Sequence, residues 1–305
     1  MRIYDIVFGR DSGQVLCTFH DDHNRSAGIG PEGQYNCFAC GAKAGSPAGF
    51  IANYFSVPFH EAVKINTKIN SLSNINFKPK PFTPDQQALI DKYKLDGSLM
   101  INSARDKLVY RHLWNGYLVG YTVFNDPSLT NYNAAKAKYD YSYCNIGGML
   151  TPYDTVTRYN RIIVTEGEKD MLTAKAAGVP NVVAKIGGAQ TRILGGKDIN
   201  DKEIILIYDC DNPGRLGMNK DAIYLTNCGC KVKTVDLGLG NGEDLNDYLV
   251  KYGKTKADLK ALIDQTPIFV VQPEHVRTKM DMLYDSLTAN EIKELASIIK
   301  EKNNV

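Results

Sequence analysis

The chain has 305 residues, room for two or three domains, with 43% hydrophobic and 23% charged residues, ordinary proportions for a globular fold in water. Its formal net charge is only +2, so any grip on a polyanion must come from local patches rather than from the whole molecule. No apolar run approaches the roughly 20 residues that span a bilayer, and the opening MRIYDIVFGRD has neither the apolar region nor the cleavage site of a signal peptide; a cytoplasmic protein with no membrane partner is expected.

In chain order, the first chemistry-bearing pattern is C-x2-H-x16-C-x2-C, formed by Cys17, His20, Cys37 and Cys40. Paired N/S donors two residues apart supply half a tetrahedral zinc site from one turn, and four such donors leave no position open for water. One structural zinc is predicted. His23 is an alternative to His20, with poorer spacing. The segment between the knuckles alternates enough to be a hairpin turning near 31–33, and a short helix follows near 46–54. Seven cysteines, an odd number in a chain expected in the cytosol, argue against a disulfide framework. The remaining Cys144, Cys210, Cys228 and Cys230 are read as small packing residues.

Residues 1–65 are thus a zinc-binding domain. Residues 66–84, rich in Asn, Ser, Lys and Pro, read as a linker. From 85 to 158 the pattern is β-rich, basic and aromatic: between 101 and 139 stand five basic residues, two acidic ones and seven aromatics. Cations that follow phosphates and rings that stack on bases suit a single-strand groove, with Arg111 and Lys138 as the foremost contacts. From 159 to 265 short apolar strands alternate with helices, which predicts a parallel sheet with right-handed crossovers. The fold class is α/β. Strands are expected at 161–165, 181–186, 203–208 and 231–237, with helices at 168–177 and 215–227. Residues 266–305 form a tail with two amphipathic helical stretches, 275–284 and 290–302.

Acids fall at successive strand ends: EGEKD at 166–170, YDCD at 208–211 and GED at 242–244. Ligands of such sheets bind beyond the strands' carboxyl ends. Carboxylates crowded there repel unless a cation sits among them. Oxygen donors suit Mg2+ or Mn2+, and two such ions can serve an in-line phosphoryl displacement. Glu166, Asp209 and Asp211 are the expected ligands, with Asp170 and Asp244 in support and Arg215, just after the DxD pair, as a nucleotide contact.

EGEKD, the DxD pair and GED resemble the TOPRIM fold shared by bacterial-type primases, topoisomerases and some nucleases. The cysteine–histidine segment is similar to the CHC2 zinc ribbon of DnaG-type primases, and 106–124 and KAKYDYS look like the basic half of their catalytic core. The resemblance covers roughly 10–265, and TVTRYNRIIVTEGEKDMLTA is especially similar to phage primase–helicases. It implies a DNA primase: template-directed synthesis of short RNA primers from NTPs on single-stranded DNA, held as an RNA/DNA heteroduplex. Zinc would sit on Cys17, His20, Cys37 and Cys40, and about two catalytic metals on Glu166, Asp209 and Asp211. Lys138 falls where the family uses a groove lysine, and Asn246 where many members have an acid. No G-x4-G-K-[ST] loop occurs, which implies a separate replicative helicase; the tail is read either as its docking ground or as packing on the core, and a phage origin would place the protein in the host cytoplasm. The alternatives are a TOPRIM nuclease and a non-catalytic template-binding replication factor.

Overall fold

The structure, a computed structural model, describes residues 2–72, 75, 78–135 and 146–271 and the backbone of 139 and 140. Lys138, Cys144 and the helical stretches expected at 275–284 and 290–302 lie outside the described residues. The chain divides into two units, Met1–Ile268 and Phe269–Val305, and every described helix and strand belongs to the first.

Helix α1 (Arg2–Phe8) buries Ile3, Tyr4 and Ile6. The ribbon follows as an antiparallel sheet of β1 (Gly13–Val15), β2 (Ala27–Ile29), β3 (Tyr35–Cys37) and β4 (Lys43–Ala44), in that order. Helix α2 (Pro47–Phe55) starts where Ser46 Oγ accepts from Gly49 N at 3.2 Å, with proline in the first turn, where a missing N–H costs nothing.

Helix α3 (Phe59–Ser71) corrects the expected linker, because 66–71 is helical. Its buried Ala62, Ile65 and Ile69 recur at helical spacing through a stretch whose Asn, Ser and Lys content had suggested loop. The far end of the segment is also tied down. Lys80 bridges to Asn102, and Asn102 Nδ2 donates to Pro81 O at 2.8 Å. The ribbon domain is therefore not tethered loosely. Tyr54, tilted, and Phe55, edge-on, pack against Trp114 at centroid distances of 5.6 and 5.8 Å, and Tyr54 OH donates to Asp198. Arg2 donates to the Ile69 and Leu118 carbonyls at 3.0 and 2.9 Å.

Helix α4 (Pro84–Tyr93) leads to a second antiparallel sheet, β5 (Met100–Asn102), β6 (Leu108–Trp114), β7 (Tyr117–Phe124) and β8 (Tyr139–Asp140). Asn115 and Gly116, with φ of 48° and 78°, close the β6–β7 hairpin; two residues with positive φ match the strands' twist, which is why Asn-Gly serves there.

The third sheet contains β9 (Leu150–Thr151), then, after α5 (Tyr153–Arg158), β10 (Arg161–Thr165); after α6 (Glu168–Ala176), β11 (Val182–Lys185) and β12 (Glu203–Ile207); and after α7 (Asn212–Asn227), β13 (Lys231–Thr234). Helix α8 (Lys256–Gln265) closes the unit. The strand order is β13-β12-β10-β11-β9, parallel except for β9. The central strands are buried along nearly their whole length, as strands covered on both faces must be. Helix α7 begins three residues before the expected 215, because Asp211 caps it: its Oδ1 accepts from Gly214 N at 2.7 Å. Among the described residues no helix is long and apolar enough to cross a membrane.

Candidate metal centres

The ribbon gathers Cys17, His20, Cys37 and Cys40 so that their donor atoms all lie within 4.8 Å of one another. Cys17 Sγ lies 3.8 Å from Cys40 Sγ, and Cys37 Sγ lies 3.8 Å from His20 Nδ1. Zinc–sulfur bonds of about 2.3 Å at tetrahedral angles place two sulfurs roughly that far apart. The sulfurs also accept hydrogen bonds, as thiolates want: Phe19 N and Tyr35 OH to Cys17 at 3.3 and 3.0 Å, Cys40 N to Cys37 at 3.4 Å. Burial opposes ionisation of Cys37, but the Cys40 N–H and the Ser26 hydroxyl outweigh it and hold the thiol at about 6. Asp22 locks the first knuckle by accepting from Cys17 N at 2.7 Å and Ser26 N at 3.0 Å. The donor set fits one structural zinc. His23 stands outside it, its side chain 80% exposed. Phe38, between the second pair of cysteines, is 82% exposed; nothing in the spacing pattern drew notice to it.

The acidic rim lies at the point where the sheet's order reverses. The chain runs from β10 to β11 on one side and returns to β12 on the other, which opens a crevice between β10 and β12. Glu166 follows β10 and Asp209 follows β12. Backbone bonds bring in the third loop: Cys210 N donates to Glu243 O at 2.8 Å, and Gly242 N to Cys210 O at 3.3 Å.

The structure groups the acids differently from the expectation. Carboxylates of Asp170, Asp209 and Asp244 lie within 4.8 Å of one another. Glu166 stands beside them with its oxygens occupied by backbone donors, Ala189 N at 3.3 Å and Asp209 N at 3.4 Å. Asp211 is turned to its capping role. Burial, then the charges of Glu166, Asp244 and Asp211, push Asp209 up to about 7. Burial raises Glu166 as well, against its two N–H donors, and raises Asp170 together with the charge of Asp244. Oxygen donors only, in mutual repulsion, fit Mg2+ or Mn2+.

Two residues of this site were not read from the sequence. Lys169 Nζ lies 2.5 Å from Asp244 Oδ2; its signal was its place inside EGEKD. Glu168 is fully buried and accepts from Thr122 Oγ1 at 2.9 Å, with His112 Nε2 at 3.4 Å. That contact fixes the turn after β10 against the β6–β7 hairpin. The Asn246 side chain is buried with Nδ2 donating to Tyr93 O at 2.9 Å and Thr173 Oγ1 at 2.7 Å, while its backbone N–H donates to Asp170 Oδ1 of the rim at 3.0 Å.

The basic half divides. Tyr110, Trp114 and Phe124 are core, whereas Tyr117 and Tyr132 are exposed. Arg111 pairs in register with Tyr121 on the half-exposed face of the hairpin, and its Nε has no hydrogen-bond partner among the described residues. Arg215 is exposed in the first turn of α7.

Residues 9–79 match a family model described as a CHC2 zinc finger, and residues 163–249 match one described as Toprim-like. The chain is 24% identical to a DNA primase of Lactococcus lactis over 317 residues, covering 78% of this chain and 49% of that protein. It is 22% identical to a DNA primase of Aquifex aeolicus, covering 82% and 63%. The chain thus spans about half to just under two thirds of these relatives. Among solved structures, the zinc-binding and RNA polymerase domains of the Aquifex aeolicus primase align at 19% identity over 85% of this chain and 80% of that one, with a TM-score of 0.43. With a CHC2 zinc-finger match followed by a Toprim-like match, the chain is similar to these DNA primases.

Proposed function

We propose that the chain is a DNA primase that joins NTPs into short RNA primers on a single-stranded DNA template. The observation that carries this reading is the acidic rim at the β10/β12 switch point, in one compact unit with the zinc ribbon. Asp170, Asp209 and Asp244, with Glu166 and Asp211 at the edge, are the residues that would hold Mg2+ or Mn2+. When bound, those ions supply charge stabilisation for the attacking 3′-hydroxyl and the leaving pyrophosphate.

The remaining chemistry belongs to the protein. Backbone N–H groups of Ala189 and Asp209 aim Glu166, Asn246 N–H holds Asp170, and Lys169 offsets the charge of Asp244. Arg111 and Arg215 suit template or triphosphate oxygens, as does Lys138 by its place in the sequence. Exposed Phe38 offers a ring on which a template base can stack. A separate replicative helicase is a partner within the same proposal.

Labelled NTPs, single-stranded templates and Mg2+ or Mn2+ test it. Short RNA products that vanish in Asp209→Asn are expected. Template degradation in place of synthesis would identify a nuclease, and template binding with no turnover a non-catalytic factor; either overturns the proposal.

A further inference from the structure

Lys185 and Asp221 form an ion pair of 2.6 Å with side chains 0% and 1% exposed, and no step above uses either residue. Removing two charges from water is costly, and apolar residues of similar size would hold the sheet as well or better. What the pair adds is a set of anchors for one loop. Lys185 Nζ also donates to Thr191 O at 3.1 Å and Ala189 O at 3.3 Å. Asp221 accepts from Ile193 N at 3.2 Å and from Tyr208 OH at 2.7 Å. Loop 187–193 has no strand partner to satisfy these groups, and it turns through Gly187 and Gly188 with φ of 87° and 70°.

The same loop carries the N–H of Ala189 that donates to Glu166 Oε1. Helix α7 presses on it directly: a Cβ at Gly217 would fall 2.6 Å from Ala189 O. One turn further along α7 comes Asp221, and the helix begins at its cap, Asp211. Glu166 and Asp211 are thus joined through α7, the buried pair and the loop.

We propose that Lys185 and Asp221, with Tyr208, are positioning residues that hold loop 187–193 so that Ala189 N–H orients Glu166 at the rim. This rests on the proposed role of the rim as a divalent-metal site.

The test uses the zinc-loaded full chain and the triple variant Lys185→Met/Tyr208→Phe/Asp221→Leu, which removes all three polar groups together so that no charge is left buried and unpaired. Mn2+ alone is titrated, and amide exchange is followed at Ala189 and Ile193. Expected are a folded variant, a Kd for Mn2+ raised about tenfold, as outer-shell changes do, and exchange at both amides accelerated well beyond that of β10. Wild-type Mn2+ affinity in the folded triple variant would overturn the inference. Should the triple variant not fold, Asp221→Asn, which keeps the shape, should raise the Kd in the same direction; an unchanged Kd overturns it equally. A wild-type chain with no Mn2+ site that depends on Asp209 would overturn this inference and the metal role of the rim together. A wild type that binds Mn2+ yet makes no oligonucleotide would overturn the primase reading alone.

Discussion

The ribbon and the rim hold metal by opposite means. The ribbon's four donors come from two knuckles between residues 17 and 40, and backbone N–H groups already stabilise its sulfurs. The rim draws on three strand ends from 166 to 244, where burial and then the repulsion of neighbouring carboxylates push Asp209 up to about 7. In the ribbon, spacing decides which atoms meet. At the rim, spacing delivers five acids to one edge, and competing donors then decide where each points. Asp211 is taken by Gly214 N, Glu166 by Ala189 N and Asp209 N, and the remaining three face one another.

The largest expected effect breaks the ribbon. Structural zinc is worth on the order of 10 kcal/mol to a small domain. Cys37→Ser, or chelation, should abolish amide protection across 13–44 while the parallel sheet keeps its own. Hydrogen exchange with a zinc assay reads this directly. Retained protection without zinc would mean that the aromatic cluster of Tyr4, Phe19, Tyr35 and Phe50, not the metal, holds the ribbon.

Next comes the rim. Asp209→Asn should lower primer synthesis about a thousandfold, the loss of roughly 4 kcal/mol of charge stabilisation. The same change should raise the melting temperature of the metal-free protein, because it removes a carboxylate that burial and its neighbours disfavour. A variant that lost activity and stability together would show Asp209 to be structural.

The ribbon's ligands were legible because C-x2-H and C-x2-C act within a single turn each. The central strands were legible because β-branched apolar runs such as 203–207 have few other fates. The positions of the acids at strand ends were legible for the same reason. What spacing could not carry was direction. Asp211 looks the same in a motif whether it faces a metal or caps α7, and nothing local distinguishes Lys185 from a surface lysine. Helix α3 was hidden by its polar composition, though Ala62, Ile65 and Ile69 carry the period that betrays it.

A smaller effect sharpens the electrostatic half of the contrast. An Asp in an unfolded chain titrates near 3.9, and Asp209 in the metal-free fold near 7. A raised carboxyl contributes stability that is fully present below the unfolded value and lost as pH rises through the folded one. The metal-free protein should therefore lose stability between about pH 4 and 7 relative to Asp209→Asn. Mg2+ should flatten that difference, and its affinity should rise with pH through about 7 as a proton is released. Melting curves with and without Mg2+ check both. A pH profile unchanged by Asp209→Asn would remove Asp209 from the account.

The smallest effect concerns the joint between the two regions. Tyr54 OH donates to Asp198, whose carboxyl is raised by burial and pulled back by Tyr54 and Tyr153. Tyr54→Phe keeps the ring against Trp114 and removes the hydroxyl that bonds Asp198 and also meets the Tyr153 hydroxyl. A single hydrogen bond to a charged group is worth about 1.5–3 kcal/mol, and the raised carboxyl can take up a proton, which places the cost at the low end. The unit should melt a few degrees lower, with ribbon amides as protected as before, because the packed rings of Tyr54, Phe55 and Trp114 carry the docking. If this one hydroxyl instead freed the ribbon to exchange independently of the parallel sheet, the joint would be a polar latch rather than an aromatic seam.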